Sequence, residues 1–349
     1  MNKSEKPKRE SPEYMRISLA SAMTIKLHPG LFYRNARSNC INLLLTYDKG
    51  CYANCSYCGL ARERKGEYKK KSFIKVEWDV FHIDEIIEKI NTRGKFVKRV
   101  CISMITNKRA VEDTKIVSSH LSAEISQPIS VLVSPTILDR NDLVDMKKAG
   151  VDKIGVAVDL ANEELFSRLR GKNVRGPHRW SKYWDTVKLG REIYGPWNIG
   201  VHIMIGMGEN EYEMVEMFER CLNYEAEIHL FSFFAESDSA LSNHPKPQIS
   251  VYRRMQLANF LLSEGYTKKA DLKFDEKCRI VDFGIEQNKL NKYIDSGIPF
   301  MTTGCRDRDG KVACNRPYGN CLPGTQIRNF PFKPDKQDLE RIKMELKQY

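Results

Sequence analysis

No stretch of this chain approaches the roughly 18 consecutive apolar residues that a helical membrane span requires. The opening MNKSEKPKRESPEY is polar and charged and has no apolar signal core, so it reads as a frayed, soluble start, and a cytoplasmic location is expected. No recognised nucleic-acid motif accompanies the basic excess, 57 Lys+Arg against 45 Asp+Glu for a net charge of +12. Apart from the short run Glu67–Lys71 the basic residues are spread out, which suits a solvated surface or the steering of an acidic protein partner. Neither a nucleic acid nor a membrane is expected as a partner. Secretory context is also missing for the 10 cysteines. Six of them fall in two tight clusters, which favours metal or redox use in a reducing compartment over disulfides.

The first cluster is Cys51, Cys55 and Cys58, spaced C-x3-C-x2-C in KGCYANCSYCGLAR. It lacks a fourth ligand nearby, whereas closed zinc sites take four protein ligands. A cubane iron–sulfur cluster is held by cysteine thiolates, and with only three supplied one iron is left open for another molecule. A zinc knuckle or a redox thiol cluster is the plainer alternative.

From residue 41 to residue 265 apolar strands alternate with helices. Strands are expected at 41–47, 97–105, 129–136, 153–159, 198–206 and 227–234. Helices are expected at 81–93, 108–122, 139–150, 162–171, 180–195, 210–225 and 250–265, with Asp139 as an N-cap and Gly150 as a stop. Continuous apolar strands between helices imply a parallel sheet, as a barrel or a doubly wound sheet. The cysteine loop directly follows the first strand, at the end where barrels place their chemistry. Residues 1–40 are expected to form an N-terminal extension, 41–265 the core, and 266–349 a loop-rich C-terminal extension on the barrel mouth, closed by a final helix.

The second cluster is Cys305, Cys314 and Cys321, spaced C-x8-C-x6-C among glycines and prolines that preclude a regular element. A metal centre would pin such a segment, as zinc or as a second iron–sulfur cluster. Cys278 and Cys40 are spare candidates for a fourth ligand, and a non-cysteine ligand is equally open. Cys101, in a strand, and Cys221, on a helix, read as small buried hydrophobes. His202 and His229 read as core or hydrogen-bonding histidines.

CYANCSYC, with Tyr57 before the last cysteine, resembles the signature of the radical SAM enzymes. The resemblance implies a partial (β/α)6 barrel of the TIM type. It also implies a [4Fe-4S] cluster on Cys51, Cys55 and Cys58 whose open iron binds S-adenosylmethionine and yields a 5′-deoxyadenosyl radical. VDLANEELFSRLRG (158–171) and VHIMIGMGENE (201–211) resemble biotin and lipoyl synthases. The tail GCRDRDGKVACNRPYGNC resembles a subunit of the two-component lipoyl synthases found mainly in archaea. That implies a sulfurtransferase of lipoate biosynthesis: sulfur from an auxiliary cluster enters an octanoyl chain carried on a lysine of an H protein or E2 lipoyl domain. Its partners would be that carrier, a second radical SAM subunit and a reductant such as ferredoxin. The alternatives are a biotin-synthase-like enzyme acting on a free small molecule, or a zinc-binding nucleic-acid or scaffold protein.

By the same resemblance Tyr57 lines the adenine pocket, and Gly206 and Gly208 admit the cofactor to the backbone. Asp159 would bind ribose hydroxyls, or else cap the helix at 162–170. Arg170, or Arg168, would hold the methionyl carboxylate. Glu209 is a ligand contact or a helix-start acid. The family's glycine-glycine-glutamate motif is missing. CISMITNK stands in its place, with Ser103 and Thr106 as candidates for the amino group.

Overall fold

The structure is a computed structural model and describes residues 8–317, 319, 324 and 326–347. Its centre is an eight-stranded sheet in the order β3-β1-β2-β4-β5-β6-β7-β8. The strands are β1 (Tyr14–Ser18), β2 (Cys40–Leu45), β3 (Trp78–His82), β4 (Arg99–Ser103), β5 (Ile129–Val133), β6 (Val151–Asp159), β7 (Ile199–Ile205) and β8 (Glu227–Ser232). β2 and β4 to β8 pair in parallel, while β1 runs antiparallel to both β2 and β3. The helices are α1 (Leu19–Thr24), α2 (Ile83–Arg93), α3 (Ala110–Glu124), α4 (Arg140–Lys148), α5 (Glu163–Leu169), α6 (Trp180–Tyr194), α7 (Glu211–Asn223) and α8 (Ile249–Ser263). The six parallel strands curve around one cavity, giving the expected (β/α)6 partial barrel.

Local chemistry explains the helix starts. Asp139 caps α4 through a reciprocal box with Asp142, and Asn210 caps α7 through one with Glu213. Gly150 takes a φ of 93° just past α4, where a β-carbon would be strained. Asn162, not Asp159, caps α5.

Three features depart from the expectation. The region before residue 40 contributes β1 to the main sheet, and Ser11 N–H reaches Thr46 O at 3.0 Å. Residues 81–82 end a strand instead of starting a helix, because Phe81 and His82 pair with Met15 and Tyr14. The tail is less irregular than read: it adds a hairpin of β9 (Lys273–Phe274) and β10 (Ile280–Asp282), then α9 (Gln287–Ser296), before the expected last helix α10 (Lys336–Lys347).

The tail has a small core of its own, Phe300, Ile327, Phe330 and Ile342. It docks on α8 through the fully buried Arg253, which donates to Ile327 O at 2.9 Å, Arg328 O at 2.5 Å and Glu345 Oε2 at 2.7 Å. β8 is the free edge of the barrel, and the tail covers it: Leu230 N–H donates to Thr303 Oγ1 at 2.8 Å. The same segment reaches the N-terminal ends of the strands on the other side of the gap. Arg99 Nε donates to Arg306 O at 3.1 Å and Asn39 N–H to Asn315 Oδ1 at 2.9 Å. The extension therefore fills the open seam of the barrel and enters its base, instead of lying on the mouth. Among the described residues no helix is long and apolar enough to cross a membrane.

Candidate active site

The cysteine loop leaves β2 and folds over the C-terminal ends of the strands. Its backbone is pinned at both ends: Tyr52 N–H donates to Thr106 O and Ser56 N–H to Leu169 O, each at 2.8 Å. Gly50 has a φ of 62°, and a β-carbon there would lie 2.6 Å from the Tyr68 ring. Cys51, Cys55 and Cys58 all line the cavity, which measures about 260 Å³. Cys58 Sγ also accepts the Leu60 N–H at 3.4 Å, a contact that favours a thiolate. Burial otherwise pushes all three thiols up, Cys55 to about 11. Three thiols lining one void, Cys55 buried and Cys51 and Cys58 partly so, are stable together as thiolates only with a cation among them.

The donor sets bear on which cation. A tetrahedral zinc with bonds of about 2.3 Å would hold its sulfurs roughly 3.8 Å apart. Among the described residues, the His, Cys, Asp or Glu side chains whose ligand atoms close to within 4.8 Å of one another are Glu227, His229 and Cys305. Cys51, Cys55 and Cys58 supply three thiolates to one cavity, the donor number of a cluster that keeps an open iron and one short of a closed zinc site.

Tyr57, Asp159 and Arg170 form one buried cluster. Tyr57 Oη donates to Asp159 Oδ2 at 2.7 Å, and Arg170 Nη1 donates to the same oxygen at 2.7 Å. Burial raises the Asp159 carboxyl, while Arg170 and Tyr57 oppose that rise. Arg170 also donates to Ala157 O, to Val158 O at 3.3 Å and to Tyr183 Oη at 2.9 Å. Its guanidinium is thus committed to the protein, with only Nε lacking a partner among the described residues. Asp159 and two backbone carbonyls occupy its fork, and the residue also lines the cavity. Arg168 is exposed, near Glu164. Ser103 and Thr106 both line the cavity, and Thr106 Oγ1 lies 3.0 Å from Ser134 Oγ.

Gly206 and Gly208 lie in the turn after β7, at φ of 102° and 114°, outside the cavity lining. Pro247 covers Gly206, where a β-carbon would lie 2.6 Å from the ring. Glu209 closes the turn by accepting Gly206 N–H at 2.6 Å and Met207 N–H at 2.9 Å, so its carboxylate is used within the turn.

The second set of cysteines sits deeper. Cys40, Cys305 and Cys314 form a buried cluster with Cys101 packed against it. Ala313 N–H and Cys314 N–H both donate to Cys305 O, at 2.9 and 3.1 Å, which folds the tail back on itself. Gly304 is required there, since its β-carbon would lie 2.3 Å from Cys314 O. Cys101, Cys305 and Cys314 line the same cavity as the first set. The neighbouring Cys40, with Arg316 and Arg99 nearby, lowers the Cys314 thiol, whereas the Cys40 thiol is pushed well up; both thiols lie within reach of Asn42 Oδ1, at 3.9 Å for Cys40 and 3.8 Å for Cys314. Of the spare cysteines, Cys40 joins this set, while Cys278 lies in the β9–β10 connection and does not line the cavity. Cys321 lies outside the described residues. Cys101, read as a plain hydrophobe, belongs to the set. The signal for it was register: Cys101 pairs with Asn42 on one side and Ser130 on the other, polar residues at one level of an otherwise apolar sheet.

Both cysteine sets therefore face one cavity, separated by roughly 10–15 Å of strand. Between them the wall is apolar, with Leu44, Leu132, Met204 and Phe231.

These features define an α/β barrel enzyme with an iron–sulfur motif at the strand ends. A family model described as the Radical SAM superfamily matches residues 47–221, half of the chain. The chain belongs to the radical SAM superfamily. It is 23% identical over 187 residues to the biotin synthase of Sulfurihydrogenibium sp. (53% of this chain, 52% of that protein). It is 25% identical over 228 residues to the biotin synthase of Magnetococcus marinus (64% of each). The chain thus spans about half to two thirds of the curated relatives it matches. Among solved structures it resembles HydG, a maturase of the [FeFe]-hydrogenase, with a TM-score of 0.51, 14% identity, and coverage of 71% of this chain and 54% of that one. Membership implies a [4Fe-4S] cluster and S-adenosylmethionine, and the three thiols of the Cys51 loop fit that cluster.

Proposed function

We propose that this radical SAM enzyme inserts sulfur into an octanoyl chain carried on a lysine of a lipoyl carrier protein, making one of the two carbon–sulfur bonds of a lipoyl group. The observation that carries the reading is the placement of two cysteine sets at two levels of one apolar-walled cavity. When bound, the cluster with S-adenosylmethionine supplies hydrogen-atom abstraction from an unactivated carbon, and a second iron–sulfur centre supplies the sulfur. The chain's own residues hold and separate these functions. Cys51, Cys55 and Cys58 hold the first centre, while the Tyr57–Asp159–Arg170 cluster fixes the loop to the end of β6. Cys305 and Cys314, with Cys40 and Cys101, supply the donors for the second. Leu132, Met204 and Phe231 give an acyl chain an apolar path between them that excludes water.

The carrier would be an H protein or an E2 lipoyl domain, with a second radical SAM subunit completing the other bond and a ferredoxin-like protein as reductant. The +12 charge favours an acidic carrier. The biotin synthase relatives support a second reading, sulfur insertion into a free small molecule. An anaerobic assay with S-adenosylmethionine, reductant and an octanoyl-lysine peptide separates the two. Formation of 5′-deoxyadenosine that depends on the peptide, with a mono-thiolated product, is expected. Deoxyadenosine formed independently of the peptide, with no thiolated product, would refute the carrier-bound substrate.

A further inference from the structure

Inside the barrel one level of the sheet is polar where parallel strands are ordinarily apolar. Asn42, Cys101 and Ser130 are neighbours there, and on β7 and β8, farther along the strand register, His202 pairs with His229. Two strand residues before His229, Glu227 lies at the start of β8. His229 is 1% exposed, and neither ring nitrogen has a hydrogen-bond partner among the described residues. Nε2 faces Glu227 Oε2 at 3.5 Å. Glu227 Oε1 is held by Lys153 Nζ at 3.0 Å. The sequence makes room for this ring: a β-carbon on Gly200 would lie 2.3 Å from His229 Cε1.

An unpartnered, buried histidine that faces a cavity costs stability unless something occupies it. The ligand atoms of Glu227, His229 and Cys305 lie within 4.8 Å of one another, and Cys305 belongs to the second cysteine set. A carboxylate behind a ligating histidine is the usual arrangement for fixing its ring and tautomer. We propose that His229 is a ligand of the second iron–sulfur centre, beside Cys305, and that Glu227 orients its ring. This rests on the proposed presence of that centre. Mixed cysteine and histidine ligation raises the potential of an iron–sulfur centre, which suits a cluster that must accept an electron as it releases sulfur.

The test isolates the second centre in a full-length Cys51→Ala/Cys55→Ala/Cys58→Ala variant, reconstituted anaerobically from protein grown on 15N-histidine. Iron and acid-labile sulfide are measured first, then pulsed EPR of the reduced centre. A 15N coupling that vanishes in His229→Ala but survives in His202→Ala is expected. His229→Cys should keep iron and sulfide yet show no coupling, which separates lost ligation from lost folding. A centre with iron and sulfide but no nitrogen coupling, or a coupling unchanged by His229→Ala, overturns the ligand assignment and leaves the second centre standing. Absence of both iron and sulfide in the parent variant overturns the second centre itself, and this ligand with it.

Discussion

Tyr57 and Arg170 converge on one oxygen of Asp159, each at 2.7 Å. The aromatic residue of the cysteine loop is thereby locked to the end of β6 by a buried ion pair. Asp159→Ala leaves the Arg170 cation buried without its counter-ion, and breaking such a pair from one side costs about 3–5 kcal/mol. Guanidinium unfolding of the metal-free protein measures this. A loss below about 1 kcal/mol would show that the two backbone carbonyls suffice to hold Arg170.

Gly200→Ala drives a β-carbon into the His229 ring. Overpacking of a buried site costs about 1–3 kcal/mol, and the displaced ring should also lower the iron content of the proposed second centre. Unfolding and iron analysis of the same preparation check both. Unchanged stability would mean the ring is free to move aside.

Cys314→Ala should keep peptide-dependent cleavage of S-adenosylmethionine while losing the thiolated product and about half the iron. Product and deoxyadenosine are read by mass spectrometry from one reaction. Loss of cleavage as well would assign Cys314 a purely structural task.

The metal-free protein should lose stability in acid through His178. Burial, helped by the nearby Arg170 cation, lowers its pKa to about 2, against the ordinary 6.5. Between those values the unfolded chain binds a proton that the folded one does not. Stability from this group is therefore full above pH 6.5 and falls as pH drops below it, by about 1.4 kcal/mol per pH unit. Urea titrations between pH 7 and pH 4 should show His178→Gln with a slope shallower by that amount. An identical slope in both proteins would place the acid sensitivity elsewhere.

Much of the barrel was legible because its strands are apolar runs bounded by turn residues, and the cysteine loop is a local pattern. β1 and β3 were not, because Tyr14–Ser18 is a short run that carries a charged residue, Arg16, and its partner at Phe81 and His82 merges into helical periodicity. The first metal site was legible for the same local reason. The second cysteine set was half legible: Cys305 and Cys314 stand close in sequence, but Cys40, Cys101 and the proposed ligand His229 reach them only through the fold. The partners of Arg170 were not legible, because a surface arginine and a buried one look alike until the acceptors around them are known.

Sulfur transfer from the protein's own second centre is the central claim. Reconstitution with 34S-sulfide, followed by one turnover on octanoyl-lysine peptide in unlabelled buffer, tests it most directly. The account predicts a product carrying 34S, in an amount no greater than one per chain, and none from Cys314→Ala. A thiolated product without 34S would contradict it.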